Sequence, residues 1–498
     1  MNAAVMKETS DIASLFRKAA AHAPKYAQTT ADERLERINR LYQAIMTARP
    51  AILAAGRKEL RLCDLDIDGQ LLMLKTEAEF IAKHLKQWLQ REPVQGSLMT
   101  IGKTCYIQYQ PKGVILHLST WNAPIAEAFI PGFGALAAGN PFVLKPSELA
   151  PESARVLADI AKSVLPEEEF AVVNGGPEVA QELLRQPFNH IFYIGGHNVG
   201  RIVMKAAAEH FATVTLEMGG KNPTIIDVSA DIDDAAKKTA WGRVCNAGQV
   251  CLAPDYALVH KSIERPFIEA LARHMTAMYN HDGKGFQQSE YLPRIVNTRH
   301  FERIKGLLDD AVAKGAKVEL GGETDAADLF IAPTILSNVN NSMRIMQDEI
   351  FGPILCIVPF GTRKDAEREI RHRPKPLGSY IFARDREAID WWLAHTTSGS
   401  TVVNHNVIQS GTNPHLAFGG VNASGMGRLC GKATFLECSN ARAVVEDGKG
   451  MGDPDMMFPP YTDKYRKAID WMLNKGMNMP DGVINFINAM LRLVSRNP

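Results

Sequence analysis

A cysteine in a loop of small residues is the first candidate for covalent chemistry in this sequence. Cys251 lies within Asn246-Ala-Gly-Gln-Val-Cys251-Leu-Ala-Pro-Asp255, after a predicted helix. A thiol attacks carbonyl carbons effectively, but with an ordinary pKa near 8.5 only roughly 3% of it is thiolate at pH 7. Covalent catalysis therefore needs a nearby base. Without one, a cysteine is more often a small buried residue, as we expect for Cys63, Cys105, Cys356, Cys430 and Cys438.

A carboxylate stands where it could act as that base. Glu217 closes a predicted strand and is followed by two glycines in Leu216-Glu217-Met-Gly-Gly220-Lys-Asn-Pro223. A carboxylate at the C-terminal end of a strand is well placed to accept a proton in a ligand cleft. A hinge between two domains explains the glycines equally well, so this motif alone leaves both interpretations open.

A parallel sheet is needed to bring such residues together, and the sequence predicts one. Short apolar strands alternate with helices of crossover length, at residues 113–119, 142–145, 170–173, 190–194 and 213–217. This alternation predicts an open parallel sheet with helices on both faces, which binds ligands beyond the C-terminal ends of its strands. A second α/β pattern of similar build begins after Pro223, and the residues before position 91 are predicted to be helical.

Two loops of this sheet could bind a dinucleotide. Gly195-Gly196-His-Asn-Val-Gly200 ends the fourth strand and opens a helix whose N-terminal amides would face a pyrophosphate. Lys145-Pro-Ser-Glu148 ends the second strand, where sheets of this kind contact a ribose, although a solvated loop also explains it. Gly132-x-Gly134-x-x-Ala137 matches the dinucleotide fingerprint in spacing only, because it lies inside a predicted helix.

Composition excludes several classes of protein. The 56 Lys and Arg against 55 Asp and Glu give a net charge of +1, which argues against a nucleic-acid partner. The seven cysteines include no Cys-x-x-Cys and no Cys/His grouping at zinc spacing, so we expect neither a disulfide scaffold nor a metal site. With no apolar run of about 18 residues and an amphipathic N-terminus, the sequence predicts no transmembrane segment, no signal peptide and a cytoplasmic location.

Seven short motifs follow one another along the chain: Trp121-Asn122-Ala-Pro124, Lys145-Pro-Ser-Glu148, Gly195 to Gly200, Leu216-Glu217-Met-Gly-Gly220-Lys, Gly248-Gln-Val-Cys251, Glu349-Ile-Phe351-Gly-Pro353 and Phe418-Gly-Gly420. Their order and spacing resemble those of the aldehyde dehydrogenase superfamily over roughly residues 10 to 445. Residues 246–256, with Gly321-Gly-Glu-Thr324 and the 498-residue length, are most similar to the class 3 and fatty aldehyde dehydrogenase branch.

The resemblance implies an α/β fold of the aldehyde dehydrogenase type, with two doubly wound parallel-sheet domains and a small bridging or oligomerisation element. Residues 1–90 and 111–217 would form the NAD(P)-binding domain, and residues 218–420 the catalytic domain. Residues 91–110 and 421–447 would form the bridging element of a homodimer, followed by a C-terminal helical tail at 448–498.

The resemblance also implies the role of each site residue. Cys251 attacks the carbonyl of an aldehyde, Asn122 stabilises the resulting oxyanion together with the Cys251 amide, and Glu217 is the general base that hydrolyses the thioester left by hydride transfer. The expected cofactor is NAD, with NADP as an alternative. The residues implied to bind it are Trp121, Lys145, Ser147, Glu148, Gly195, Gly196, Val199, Gly200, Glu349 and Phe351.

Three positions depart from the usual pattern of the family. Gly196 replaces a serine, which removes a hydroxyl contact to the pyrophosphate, and Thr120 replaces a proline. Ala123 replaces an aromatic residue and should widen the substrate mouth. Together with the apolar neighbours Val250 and Leu252, this change predicts a medium- or long-chain aliphatic or an aromatic aldehyde as the substrate.

Two other functions stay open at this point. In a CoA-acylating aldehyde dehydrogenase CoA takes the acyl group, and Glu217 argues against this because a base that activates water is then unneeded. A non-catalytic structural or ligand-binding member of the family would not need the set of Cys251, Glu217 and Asn122.

The apolar face at residues 483–494 is too short to span a bilayer and predicts a packing helix, a lid over the substrate entrance or a membrane contact.

Overall fold

Helices and strands alternate along most of the chain in the computed structural model, which describes residues 3–97, 100, 103–409, 413–447, 458–475 and 482. The apolar segment at residues 483–494 lies outside these described residues. The helices are α1 (Ala3–Ala27), α2 (Ala31–Thr47), α3 (Arg49–Leu60), α4 (Asp64–Trp88), α5 (Ala126–Ala138), α6 (Pro151–Val164), α7 (Pro177–Leu184), α8 (His197–Glu209), α9 (Ile232–Val244), α10 (Glu264–Tyr279), α11 (Thr298–Ala313), α12 (Arg344–Gln347), α13 (Arg363–Arg371), α14 (Arg386–His395), α15 (Lys432–Glu437) and α16 (Asp463–Lys475).

The strands are β1 (Glu92–Pro93), β2 (Lys103–Pro111), β3 (Ile115–Leu118), β4 (Phe142–Lys145), β5 (Phe170–Val172), β6 (His190–Gly195), β7 (Thr213–Met218), β8 (Pro223–Ile226), β9 (Tyr256–His260), β10 (Lys317–Leu320), β11 (Thr324–Asp325), β12 (Phe330–Ile331), β13 (Thr334–Ser337), β14 (Ile354–Phe360), β15 (Gly378–Phe382), β16 (Ser400–Val403), β17 (Gly425–Met426) and β18 (Ser439–Asp447).

The first large sheet has the strand order β17-β7-β6-β3-β4-β5. The predicted strands β3 to β7 are confirmed and pair in parallel. The chain runs from β3 outward to β5 and then returns to β6 on the other side of β3. This reversal of direction opens a crevice at the C-terminal ends of β3 and β6, where dinucleotides bind in sheets of this topology. All four residues of β3 are buried, as expected for a central strand covered on both faces.

The second large sheet has the order β10-β13-β14-β9-β8-β15-β16 and is parallel except for the β10–β13 pair. The two parallel-sheet layers of the predicted fold class are therefore present. Every residue of β8 and β15 is buried, as the apolar composition of both strands requires. β8 begins five residues after the end of β7, so the chain passes from one sheet to the other through the segment 219–222.

The chain consists of two compact units. One contains residues Met1–Leu85 and Pro111–Cys438, with both large sheets. The other contains Lys86–Gln110 and Ser439–Pro498, with the sheet β1-β2-β18. We expected residues 421–447 to belong wholly to the bridging element, but 421–438 lie in the first unit.

Strand β17 explains this difference. Gly425 and Met426 pair antiparallel with Glu217 and Leu216 of β7. A Cβ at position 425 would lie 2.2 Å from the carbonyl oxygen of Leu216, so only a glycine allows this close approach.

Among the described residues, no helix is long and apolar enough to cross a membrane.

Candidate active site

The thiol of Cys251 and the carboxylate of Glu217 meet in one cavity of about 250 Å³. The thiol lies close enough to the carboxylate to interact with it, and Oε1 of Glu217 has no hydrogen-bond partner in the described part of the chain. Burial raises the pKa of Glu217 from 4.5 to about 7, although the nearby thiol lowers it in part. A carboxyl group with this pKa exchanges protons readily at neutral pH.

The thiol itself is protonated at rest. Burial raises the pKa of Cys251 well above its usual value, and the charges of Glu217, Glu127 and Glu349 raise it further. A thiol can act as a nucleophile only after losing its proton, so this one would need a base in order to react. Glu217 is the group in contact with the thiol that can accept this proton.

The loop before Cys251 has an unusual backbone. Asn246, Ala247 and Gly248 have φ values of 50°, 52° and 72° in succession. Such left-handed conformations cost roughly 1–2 kcal/mol per residue for side chains other than glycine, so surrounding contacts must hold this loop. Gly248 is required for a further reason, since a Cβ at this position would lie 2.3 Å from the carbonyl oxygen of Gly352.

A buried group of three charges supplies part of that support. Asp255 accepts hydrogen bonds from Lys221 Nζ at 2.6 Å and from Arg243 Nη1 at 3.0 Å. Arg243 also donates to the carbonyl oxygens of Gly248 and Gly352, and Asp255 accepts from the Ile350 amide at 3.2 Å. This charge group therefore ties the cysteine loop to the segment that carries Glu349.

Two side-chain amides fix the loop from its other side. Asn222 Nδ2 donates to the carbonyl oxygens of Cys251 at 2.7 Å and Ala253 at 3.1 Å. Gln249 Nε2 donates to the Asn246 carbonyl oxygen at 3.1 Å, and its Oε1 accepts from the Val296 amide at 3.0 Å. These bonds satisfy backbone groups that a non-repetitive buried loop would otherwise leave unpaired.

Asn122 points its amide toward the same loop from the end of β3. Its Nδ2 donates to the Gln249 carbonyl oxygen at 2.9 Å, and its own carbonyl oxygen accepts from Asn246 Nδ2 at 2.9 Å. Thr120 Oγ1 donates to Asn122 Oδ1 at 2.9 Å, which leaves the NH₂ group facing the loop. The threonine that departs from the family pattern therefore orients this amide.

Glu349 and Phe351 enter the cavity from the segment before β14. The carboxylate of Glu349 lies against Gly219, where a Cβ would be 2.1 Å from Oε1. Burial raises the pKa of Glu349 to about 8, with Asp255 and Glu217 adding to the effect. Phe351 packs edge-on against Trp121 with ring centroids 5.6 Å apart.

Five of the ten predicted cofactor-binding residues line the cavity together with Cys251, Glu217 and Asn122, namely Trp121, Gly195, Gly196, Glu349 and Phe351. Gly196 directly precedes α8, and nothing lies within 4 Å of a Cβ built on it, so the N-terminal amides of this helix adjoin open space. Such an opening at a helix N-terminus suits an anionic phosphate. Gly200 instead packs against Met218, and Val199 is exposed.

Lys145, Ser147 and Glu148 form a separate group at the end of β4. Lys145 Nζ donates to Glu148 Oε2 at 2.8 Å and to the Pro146 carbonyl oxygen at 3.0 Å. Burial raises the pKa of Glu148, but the hydrogen bond and charge of Lys145 outweigh it and lower the pKa overall. Ser147 Oγ accepts from the Leu149 amide at 3.2 Å, which shapes the turn.

Six lining residues were not anticipated from the sequence as site residues: Thr120, Glu127, Ile194, Gly219, His300 and Arg303. Arg303 donates to the carbonyl oxygens of Glu349 at 3.0 Å and Ile350 at 2.7 Å. His300 and Arg303 belong to an ordinary amphipathic helix and carry no sequence signal of their own. Glu127 could have been found, because it is the one ionisable residue of the apolar helix α5.

A family model described as the aldehyde dehydrogenase family matches residues 3–444. The chain belongs to the aldehyde dehydrogenase family. The resemblance inferred from the seven motifs is thereby confirmed. The protein is an aldehyde dehydrogenase, an enzyme class that oxidises aldehydes with NAD or NADP.

Known aldehyde dehydrogenases are similar over most of the chain. Aldehyde dehydrogenase family 3 member A2 of Macaca fascicularis is 38% identical over 440 residues, which are 88% of each chain. The dimeric NADP-preferring aldehyde dehydrogenase of Canis lupus familiaris is 40% identical over 376 residues, 76% of this chain and 81% of that one. The substrate-bound structure of AldH from Staphylococcus aureus is 35% identical, with a TM-score of 0.87 over 92% of this chain and 99% of that chain.

The buried charge group can be tested by removing its anion. Asp255→Asn leaves Lys221 and Arg243 buried without a counter-charge, so we expect the free energy of unfolding to fall by about 3–5 kcal/mol. The measurement is the midpoint of urea unfolding. Asp390→Asn, which breaks an exposed pair with Arg386, is the matched control and should change the free energy by at most about 0.5 kcal/mol. Equal shifts in both variants would contradict a supporting role for Asp255.

Proposed function

We propose that this chain oxidises an apolar aldehyde to the carboxylic acid through a thioester on Cys251. The observation that supports the proposal most directly is the convergence of the Cys251 thiol, the Glu217 carboxylate and the Asn122 amide on one cavity that Glu349 and Phe351 also line. Nucleophile, base and oxyanion donor are the three groups that covalent acyl chemistry needs within one site.

The first step forms a bond between Cys251 Sγ and the aldehyde carbon. The thiol proton passes to Glu217 as the sulfur attacks, and the carbonyl oxygen takes up the electron pair of its π bond. The amide hydrogen of Asn122 and the backbone N–H of Cys251 donate to this oxyanion. Loss of one such donor typically costs about 3–4 kcal/mol in the barrier.

The residues beside the thiol fit a nicotinamide cofactor. Gly195 and Gly196 at the start of α8 would receive its pyrophosphate, and Glu349 and Phe351 would hold its nicotinamide end. When bound, the nicotinamide supplies an acceptor for the hydride of the substrate carbon. Glu217 releases the thiol proton to solvent and, ionised again, takes a proton from the water that attacks the thioester carbon. The C–S bond then breaks, the carboxylic acid leaves, and the proton passes from Glu217 to the sulfur to restore the Cys251 thiol.

The cofactor preference is proposed as NAD, with NADP as an alternative. A carboxylate at Glu148 repels a phosphorylated ribose, which favours NAD. Its partner Lys145, already bound to Glu148 at 2.8 Å, could also receive a 2′-phosphate. The related canine enzyme is named as NADP-preferring, which supports testing both NAD and NADP as cofactors in the assay.

The apolar substrate is proposed from the neighbours of the two key residues. Ala123 and Val250 are half-buried, uncharged and adjacent in sequence to Asn122 and to Cys251. Leu252 does not support the proposal, because it is 1% exposed and packs into the interior.

The sheet β1-β2-β18 is proposed as the element that forms a homodimer. β18 is an edge strand of nine residues, eight of which are exposed or half-buried. Such an edge offers unpaired backbone groups to a strand of a second copy.

We also propose that the first large sheet binds the cofactor and that the second carries the catalytic loop. The enzyme is proposed to act in the cytoplasm.

Steady-state kinetics on aliphatic aldehydes of rising chain length and on aromatic aldehydes test the proposal, each with NAD and NADP. We expect kcat/KM to rise with chain length or with an aromatic ring, and turnover to proceed without CoA. A requirement for CoA would identify the acylating alternative. No aldehyde-dependent formation of reduced cofactor across the panel would instead favour a non-catalytic member of the family.

Variants of the base and nucleophile separate the two half-reactions. Cys251→Ala should abolish oxidation while cofactor binding persists, because no thiohemiacetal can form. Glu217→Gln should give a burst of reduced cofactor followed by little turnover, because the thioester then lacks a base for its hydrolysis. Stopped-flow absorbance at the reduced nicotinamide band measures both phases. An unchanged steady-state rate in Glu217→Gln would assign the base to another group.

The rate of thioester hydrolysis should depend on pH through Glu217. The base acts only when ionised, and a pKa raised to about 7 means that it is protonated at low pH. A group with this pKa is about 10% ionised at pH 6 and about 90% ionised at pH 8, so hydrolysis should accelerate roughly tenfold over this range. Single-turnover decay of the acyl-enzyme is the measurement. A flat profile in the wild type would contradict the role of Glu217.

A further inference from the structure

Glu127 is the one ionisable residue of α5. The other twelve residues of this helix are alanine, phenylalanine, isoleucine, leucine, proline and glycine, and all twelve are buried. Glu127 nonetheless lines the cavity that holds Cys251 and Glu217. A lone carboxyl group on an otherwise apolar helix, directed into the reaction cavity, calls for an explanation beyond packing.

The carboxyl group of Glu127 has no hydrogen bond or ion pair to any residue that the structure describes. The contact that Glu127 makes with His117 involves its backbone: the carbonyl oxygen of Glu127 lies 2.8 Å from Nε2 of His117. The one cation that lines the cavity, Arg303, donates to the carbonyl oxygens of Glu349 and Ile350. Glu127 is half-buried and lines the cavity, so a molecule that enters the cavity is the available partner for this carboxyl.

The charge state of Glu127 narrows the chemistry of that partner. Burial raises its pKa from 4.5 to about 8, and the charge of Glu217 adds to the effect. At neutral pH the group is therefore mainly a carboxylic acid, which both donates and accepts a hydrogen bond. A hydroxyl group has the same two capacities, whereas an ammonium group would need the ionised carboxylate.

We propose that Glu127 is a specificity-determining residue that hydrogen-bonds a hydroxyl group of the aldehyde substrate. The inference rests on the proposed aldehyde oxidation and refines its substrate class: an apolar carbon skeleton that carries a hydroxyl near the reacting carbonyl. A site that pairs a buried polar group with a substrate hydroxyl discriminates against analogues that lack it, because the group is then left unpaired.

Matched aldehydes that differ only by hydroxyl against methyl provide the test. The pairs are glycolaldehyde and propanal, lactaldehyde and isobutyraldehyde, and 3-hydroxypropanal and butanal. For each pair the ratio of kcat/KM, hydroxyl over methyl, is compared between wild type and variants of the full-length enzyme. Hydration of the free aldehydes cancels in this comparison, because it is the same for every variant.

In Glu127→Leu we expect this ratio to fall at least about tenfold in one or more pairs. Glu127→Gln keeps a donor and an acceptor and should hold the ratio within about threefold of wild type. Glu178→Leu replaces an exposed carboxylate in the first turn of α7 and is the control, with no change in the ratio. Leucine suits the apolar surroundings of position 127, so folding of the variant is expected.

Three outcomes would overturn the inference. A ratio in Glu127→Leu equal to that of wild type for every pair would remove Glu127 from specificity while leaving the proposed oxidation in place. A fall confined to 3-aminopropanal against butanal would identify a cationic partner and not a hydroxyl. Absence of oxidation of all these aldehydes by the wild type would overturn the proposed function, and the inference with it.

Discussion

One buried carboxylate, that of Asp255, fixes the chain segments that carry the chemistry. Lys221 follows β7, Arg243 lies in the last turn of α9 before the cysteine loop, and Ile350 follows Glu349; all three donate to Asp255. Two cations against one anion in a dry interior need further hydrogen bonds, and backbone carbonyl oxygens here accept from Lys221 Nζ and from both Nη atoms of Arg243. Nε of Arg243 has no partner among the described residues. The left-handed turn at residues 246–248 is held against its intrinsic cost by this arrangement.

Burial shifts the acidic groups of the cavity toward their protonated forms. Three carboxyl groups and a thiol share it, and burial is the first cause of the raised pKa of each. The resting site therefore carries less negative charge than its three carboxyl groups would have in water. A neutral carbonyl compound can enter it without a large electrostatic cost.

The sequence allowed the first sheet and the central residues of the site to be predicted, but not their geometry. Apolar strands between crossover helices have a clear pattern, so the predicted bounds of β3 to β7 agree with the structure to within two residues at each end. The largest difference is at β3, which is predicted at both ends to be longer than it is. The two residues of β17 have no pattern, and their pairing depends on a close approach at Gly425. In the second sheet, moreover, Cys251 and Glu349 precede β9 and β14 and so lie at the N-terminal ends of their strands, which the rule for ligand sites in parallel sheets does not anticipate.

The pairing of β17 with β7 also bears on how the enzyme is made. β7 carries Glu217, and its outer neighbour in the sheet comes from more than 200 residues later in the chain. During synthesis from the N-terminus, β7 is therefore an unprotected edge while the residues between it and β17 are made, and such edges recruit other strands. The cysteine at position 251 is likewise synthesised long before Gly425. The nascent chain thus carries Glu217 and Cys251 before the strand that completes the sheet of Glu217 exists, so the first large sheet is complete only after β17 has been made.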